Sequence, residues 1–502
     1  VAQSLPTLRS LNNYSLFAMT KKSKQSNGYK RGDKFGDWTL EEYLGGGGNG
    51  DVWLARNPKH APHAIKLLKT VTTESYTRFT AEIDALSKLG TLNGIVPLIE
   101  KHTPKEKGES TPWYAMPVAQ PFKEYRIGRS AEEIARDFIA LASTLGQLHS
   151  KGISHRDIKP ANFLYYNDQL CLSDFGLVKY PNRQPITPPK RDVGAKFTMA
   201  PEMRRHASEA NGEMADVYSF AKSLWIAFTK EDLGFDGQYN PDSSLSLNKY
   251  LKGVYTTTLD QLLVECTDTD PLRRPRISHV AKRIEEWLNI VSDFHKRNLI
   301  EWTELQQKLF PLGAPSQSTW TQIDAICSVL SEVAKVRALN HMFYPTGGGN
   351  TITGVSRAFE EEMIELHVGE MTAEILKPKK LTYESFGTAA SWNYFRLEVA
   401  PIEPTGIKGA LDQEGVREEL TELKPGTYIP YHHWNCNEYS DEPLPATARP
   451  ISRYIKGCFV FFSTRSAYNA DPRTYDARHN KMTEDEFRDY IRKNASRRDS
   501  SE

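Results

Sequence analysis

Apolar and polar positions follow different periods along this chain. From Trp38 to about Val118 the pattern predicts short strands and one helix, over Phe79–Leu89. From Ser130 to about Leu288 the helical period takes over. Ile134, Phe138, Leu141, Leu145 and Leu148 recur at steps of four and three. They follow Ser130-Ala131-Glu132-Glu133, a capping-box sequence. Ala215–Phe228 is apolar nearly all round, which predicts a buried helix. Ile277, Val280, Ile284 and Leu288 mark an amphipathic one. Polar loops bearing Pro or Gly are expected at 101–112, 180–194 and 233–246.

Beyond about residue 292 the character changes. Leu299–Phe310 reads as a helix stopped by Pro311. Trp320–Leu339 reads as a second, with Ile323, Ile326, Val329, Val333 and Val336 on one face. Alternation then predicts strands around Ile364, Leu366 and Val368, around Phe395, Leu397 and Val399, and over Cys458–Phe462. Gly347–Asn350 reads as a flexible turn, and His432, His433 and Cys436 as strand-end residues. Thr483–Arg492 reads as a short capped helix, and Arg497–Ser501 as a solvated end. This α+β region of roughly 190 residues is long enough for its own core. No internal repeat is visible.

The length agrees. A chain of 502 residues exceeds the roughly 250–300 residues at which single cores stop growing. Composition is globular, at 39% hydrophobic and 25% charged. No apolar run approaches the roughly 18–20 residues of a membrane-spanning helix. A formal net charge of +1 gives no electrostatic case for nucleic acid. Residues 1–32 nevertheless carry six basic residues and no acid, which leaves −5 on the other 470. That leader, extending to about residue 35, reads as a disordered tail, although its composition also matches a mitochondrial-type targeting segment. Met19 offers an alternative translation start. The five cysteines are scattered and form no CxxC, so neither a disulfide framework nor a zinc knuckle is expected, and a reducing cytoplasm is.

The candidate chemistry lies between residues 44 and 274. Gly45, Gly47 and Gly50 form a spaced triplet between Leu44 and Val52. Alone such a triplet is weak, but it allows backbone to approach phosphates where a β-carbon would clash. His63-Ala64-Ile65-Lys66 ends a strand on a lysine, and Glu82 follows sixteen residues later on a helix. His155-Arg156-Asp157-Ile158-Lys159-Pro160-Ala161-Asn162 places a carboxylate, an ammonium and an amide in one short loop. Asp174-Phe175-Gly176 comes twelve residues after Asn162, and Ala200-Pro201-Glu202, Asp216 and Arg274 follow.

In order and spacing this set resembles the eukaryotic-type serine/threonine protein kinase family over about residues 36–290. The resemblance implies a bilobal α+β kinase domain over 36–292, with a small lobe at 36–118 and a large lobe at 119–292. An α+β accessory domain of unknown role would occupy 293–502. It also implies roles. Leu44, Gly45, Gly47, Gly50, Val52, Ala64 and Leu164 would surround ATP. Lys66 would contact its α- and β-phosphates and pair with Glu82. Met116 would be the gatekeeper, with the Pro117 carbonyl and the Ala119 N–H reading adenine. Asp157 would aim the acceptor hydroxyl, and Lys159 would neutralise the transferring phosphoryl group. Asn162 and Asp174 would hold Mg²⁺, with Mn²⁺ as the alternative ion. Leu86, Leu98, His155 and Phe175 match the regulatory stack. Glu202 and Arg274 would form a buried ion pair, and Asp216 would anchor the catalytic loop.

Lys159 is the serine/threonine-type signature of that family. One position departs from its pattern, Ala195, where a threonine usually follows Gly194. Thr187, the only Ser or Thr between Gly176 and Gly194, is the expected activating phosphosite, with Arg156 receiving its phosphate. The implied substrates are proteins, the chain itself included, and a regulatory ligand or protein is expected at residues 293–502. The rival readings are a pseudokinase scaffold and a small-molecule kinase of related fold.

Overall fold

The computed structural model describes residues 28–47, 50–105, 107–180, 197–204, 207, 209–369, 372–386, 392–463 and 482–498. It divides into two compact units, Val1–Asn289 and Ile290–Glu502.

In the first unit, alternation builds a sheet of six described strands: β1 (Lys34–Phe35), β2 (Trp38–Gly46), β3 (Gly50–Asn57), β4 (His60–Leu68), β5 (Glu100–His102) and β6 (Trp113–Met116). Their spatial order is β1-β2-β3-β4-β6-β5. One face is packed by Trp38, Leu40, Trp53, Ile65, Leu67 and Trp113. The period of two turns Lys66 and Tyr114, which are register partners, to the other face. There lies α1 (Thr73–Leu89), which begins six residues before the expected start. Its capping box uses Ser75 in place of the usual Glu or Gln, so the sequence signal for its start was weak.

A smaller sheet follows, β7 (Gln120–Pro121), β8 (Phe163–Tyr166) and β9 (Gln169–Leu172). Around it pack α2 (Ala131–His149), α3 (Gly212–Thr229), α4 (Thr257–Cys266) and α5 (Ile277–Ser292). Ser130 caps α2 with Glu133 in a complete capping box. Phe138 of α2 meets Phe163 of β8 and Phe220 of α3 edge-on, so one side chain locks three elements. α3 is buried over nearly its whole length. On α5 Ile277, Val280 and Ile284 are buried as expected, but Trp287, with 0% exposure, takes the inner place expected of Leu288, which is only partly buried; the Trp287 indole N–H is satisfied by the Tyr255 carbonyl.

The second unit is built on a sheet of eleven described strands. In spatial order they are Gln317–Trp320, Pro378–Glu384, Tyr394–Val399, Gly457–Phe462, His341–Phe343, Gly349–Arg357, Ile364–Val368, Thr372–Leu376, Arg449–Tyr454, Arg417–Lys424 and Thr427–Pro430. α6 (Phe294–Leu309) and α7 (Ile323–Lys335) cover one face through Trp302, Leu305, Ile326, Val329, Leu330 and Val333. α8 (Glu484–Arg498) adds Phe487 and Ile491 to a second cluster with Tyr394 and Phe462.

Three expectations are corrected here. Trp320 does not begin a helix. It ends an edge strand paired with Leu381, its ring set against Phe310 and Phe395, and α7 stops at Lys335, before Val336. A β-strand partner distant in sequence outweighs the local helical period. His432, His433 and Cys436 lie on a five-residue helix, not at a strand end. The segment 101–112 is not all loop, because Glu100–His102 pairs with β6.

Candidate active site

β4 delivers Lys66 to the covered face of the six-stranded sheet, where it is 8% exposed. A lone buried ammonium is costly, and this one is not alone. Its Nζ lies 2.6 Å from Oε1 of Glu82 on α1 and 3.6 Å from Oδ1 of Asp174. The Tyr114 hydroxyl donates to that same Glu82 oxygen at 2.8 Å. Burial opposes charge on Lys66, but the carboxylates of Asp174 and Glu82 outweigh it and hold the ammonium well above the usual lysine range. Lys66 in turn holds Asp174 below the usual carboxylate range against burial, with help from Lys159 and His155.

The loop carrying Asp157 is anchored from α3. Asp216 is fully buried. Its Oδ2 accepts the His155 N–H at 2.7 Å and its Oδ1 the Arg156 N–H at 2.6 Å, while the His149 ring lies 3.1 Å away. Two charge-assisted bonds of this kind hold Arg156 at φ +69°, a conformation that costs a non-glycine residue about 1–3 kcal/mol. Lys159 Nζ donates to Asp157 Oδ2 at 2.7 Å, and Asn162 Nδ2 donates to that oxygen at 3.0 Å and to the Asp157 carbonyl at 2.8 Å. Oδ1 of Asp157 is buried without a hydrogen-bond partner. As a carboxylate oxygen it has acceptor capacity that no donor of the described residues fills.

Asn162 donates its amide hydrogens to Asp157, which leaves its side-chain oxygen as an acceptor. The β8–β9 hairpin brings Asp174 beside it, because Ser173 N–H and Oγ–H both donate to the Asn162 carbonyl at 2.9 Å. Asp174 also has a positive φ, +60°. Phe175 behind it packs on the His155 ring at 4.9 Å, both buried. Leu86 is buried, and Leu98 partly so. An amide oxygen and a carboxylate are hard donors that suit Mg²⁺, which is typically bound by one or two carboxylates plus phosphates. Among the described residues no group of three or more His, Cys, Asp or Glu gathers for a metal.

Of the glycine triplet, Gly45 has φ +149°, and a β-carbon on Gly50 would sit 2.9 Å from the Leu67 carbonyl and 3.1 Å from the Lys66 stem. Nothing lies within 4 Å of a β-carbon built on Gly45 or Gly47, so these two glycines face open space among the described residues. Val52 is the register partner of Lys66, and Ala64 of Met116. Met116, Pro117 and Ala119 are partly buried between β6 and β7, Leu164 is partly buried on β8, and Leu44 is exposed.

Glu202 and Arg274 meet through two bonds, at 2.6 and 3.0 Å. Arg274 also donates to the carbonyls of Asp268 and Met214 and lies over the Tyr218 ring. Arg156 Nη2 donates to the Ala207 carbonyl at 2.7 Å. Thr187, Gly194 and Ala195 fall outside the described residues. Sequence reasoning missed Tyr114, Ser173 and His149, whose partners here lie 11 to 67 residues away; strand register could have indicated Tyr114.

A family model described as the protein kinase domain matches residues 38–288. The chain is 28% identical over 204 residues to serine/threonine-protein kinase AfsK of Streptomyces griseus, covering 39% of this chain and 24% of that protein. It is 29% identical over 220 residues to serine/threonine-protein kinase PknJ of Mycobacterium tuberculosis, covering 40% of this chain and 35% of that protein. The chain spans between 24% and 56% of the length of the first curated relatives it matches.

Proposed function

The chain belongs to the protein kinase family, and from that premise we propose that it is an ATP-dependent serine/threonine protein kinase. It transfers the γ-phosphoryl group of ATP to Ser and Thr hydroxyls of protein substrates and of itself. The observation that carries this reading is a pair of lysines each held on a carboxylate of a different motif, Lys66 at 2.6 Å from Glu82 and 3.6 Å from Asp174, and Lys159 at 2.7 Å from Asp157. That arrangement suits a site where phosphate charge is gathered and neutralised.

In this reading the two lobes are the six-stranded sheet with α1 and the helical remainder to about residue 292. Gly45, Gly47 and Gly50 cover the phosphates, and Leu44, Val52, Ala64, Met116 and Leu164 enclose the base, whose edge meets the Pro117 carbonyl and the Ala119 N–H. Lys66, aimed by Glu82, takes the α- and β-phosphates. Asp157 Oδ1 accepts the proton of the attacking hydroxyl and aligns its oxygen with phosphorus. Lys159, already on Oδ2 of Asp157, neutralises the moving phosphoryl group. Asn162 and Asp174 would hold Mg²⁺, which supplies charge neutralisation on the phosphates. Little covalent chemistry is asked of the protein; positioning supplies the rate.

Residues 293–502 form, in this proposal, an accessory domain that directs or regulates the kinase through a protein or ligand. All five cysteines are free, which fits a reducing cytoplasm. Among the described residues no helix is long and apolar enough to cross a membrane. The test is incubation of the full chain with γ-labelled ATP and Mg²⁺, followed by mapping of phosphosites on the chain and on a lysate. Transfer no greater than that of Asp157→Asn would defeat the proposal.

A further inference from the structure

Tyr114 occupies a place where an apolar ring would fill the same space. It is 2% exposed on β6, its ring 5.7 Å from the Phe79 ring of α1. Burying a phenol hydroxyl is unfavourable unless it finds an acceptor. This one finds Oε1 of Glu82 at 2.8 Å, the same atom that takes Lys66 Nζ at 2.6 Å. The convergence is specific, because Oε2 of Glu82 is buried without a partner. Phe79 and Glu82 are three apart, hence on one face of α1, so a single tyrosine grips that face through both its ring and its hydroxyl. Register places it directly across from Lys66, whose Nζ lies 5.8 Å from the Tyr114 ring centre.

We propose that Tyr114 is a positioning residue: its hydroxyl is a second hold on Glu82 that keeps α1 against the sheet and Lys66 aimed at nucleotide phosphates. This deepens the kinase reading and rests on it. An ion pair alone leaves Lys66 to be shared between Glu82 and Asp174, which lie 2.6 and 3.6 Å from its Nζ. A neutral donor on Glu82 biases that sharing. It fixes the carboxylate so that the lysine, and not the helix, is the part that adjusts when phosphates arrive. Tyr114 is well suited to this task, since burial and the neighbouring Glu82 carboxylate raise its own ionisation well above the usual tyrosine range and keep it a donor.

The decisive variant is Tyr114→Phe, which keeps the ring and deletes the hydroxyl. Binding of MgATP and of adenosine, which lacks phosphates, is measured by calorimetry on the full chain, with Glu82→Gln and the double variant alongside. Loss of one hydrogen bond to a charged group predicts about tenfold weaker MgATP binding, unchanged adenosine binding, and no further loss when Tyr114→Phe is added to Glu82→Gln. Equal MgATP affinity in Tyr114→Phe overturns the proposal. So does an equal loss for adenosine, which would mean general loosening, or full additivity, which would mean that the hydroxyl does not act through Glu82. Phosphate transfer is followed in the same samples. A wild-type chain that binds MgATP with the predicted split but transfers nothing removes the kinase reading and leaves Tyr114 in its role. Transfer without the split does the reverse, and a wild-type chain that binds no MgATP removes both.

Discussion

In the first unit Lys66, Glu82, Asp157 and Asn162 are all at most 8% exposed; in the second, Arg453, Glu365, Glu418 and Glu422 are buried to the same degree. The burial is alike, but the bonding is not. Arg449 spans Glu365 and Glu422, and Arg453 spans Glu360 and Glu418, each arginine joining acids of neighbouring chain segments. Arg488 of α8 does the same for Glu384. The Arg449 and Arg453 pairs tie strands of the eleven-stranded sheet together, and Arg488 ties α8 to it, although Nε of Arg453 is left without a hydrogen-bond partner. The kinase loop instead stacks its donors on Oδ2 of Asp157 and leaves Oδ1 open. An unfilled acceptor on a buried carboxylate points to function where the donors around it converge on the sister oxygen, as at Asp157.

That distinction breaks most directly through rate. Asp174→Asn and Lys66→Ala should each lower phosphate transfer by about 10³-fold or more, while Arg449→Ala leaves it unchanged. Steady-state rates with labelled ATP, supported by circular dichroism to show retained folding, check this. Wild-type transfer by Asp174→Asn would place the chemistry elsewhere.

Stability sharpens it next. Arg274→Ala leaves Glu202 without its buried partner, and should cost about 3–5 kcal/mol. Arg449 is 31% exposed at its side chain, so solvent screens its pairs and Arg449→Ala should cost only about 1 kcal/mol. Denaturant midpoints of the two variants give the ranking, and a reversal would mean that the sheet's ladders matter more than the kinase ion pair.

The second unit does hold one carboxyl with spare valence, Glu374, whose Oε2 has no hydrogen-bond partner while Oε1 accepts from the Tyr344 hydroxyl. Burial pushes it up to about 7, against the pull of Tyr344, Arg417 and Ser452 and with a push from Glu419. The folded state thus binds this proton more tightly than the unfolded chain does. Its contribution is full below about pH 4.5 and is lost as pH rises through about 7, a span of about 3 kcal/mol at most. Chemical denaturation across that range should show the slope, and Glu374→Gln should flatten it. An identical slope in the variant would assign the titration to another group.

The smallest expected effect is away from both networks. Ser130→Ala removes the α2 capping box and should cost about 1 kcal/mol with transfer little changed. A melting-temperature series with Ser130→Thr as the conservative control measures it; a large fall in transfer would tie α2 to the site.

Much of the first unit was legible because its chemistry is packed into short, ordered stretches. The loop from His155 to Asn162 keeps its meaning as local sequence, as does the stripe from Ile134 to Leu148, whose residues are all at most 3% exposed; Lys66 lies within β4, which runs on to Leu68 beyond the strand end expected at the lysine. What was not legible depended on partners far along the chain. Trp320 looked helical until Leu381 paired with it. α4 went unread, and α1 was read short because Ser75 does the work of a glutamate in its cap.

The residues themselves determined which side chains are available for chemistry, that the chain exceeds one core, and that a catalytic-type series precedes an α+β region. Tertiary structure alone decided which oxygen each donor reaches: Tyr114 and Lys66 on one atom of Glu82, Lys159 and Asn162 on one atom of Asp157, and Asp216 beneath two successive amides. Residue type and spacing set what a group can donate or accept. Only the strand register and the helix packing set where, because a hydrogen bond is lost within about an ångström of its optimum, a distance that sequence separation does not encode.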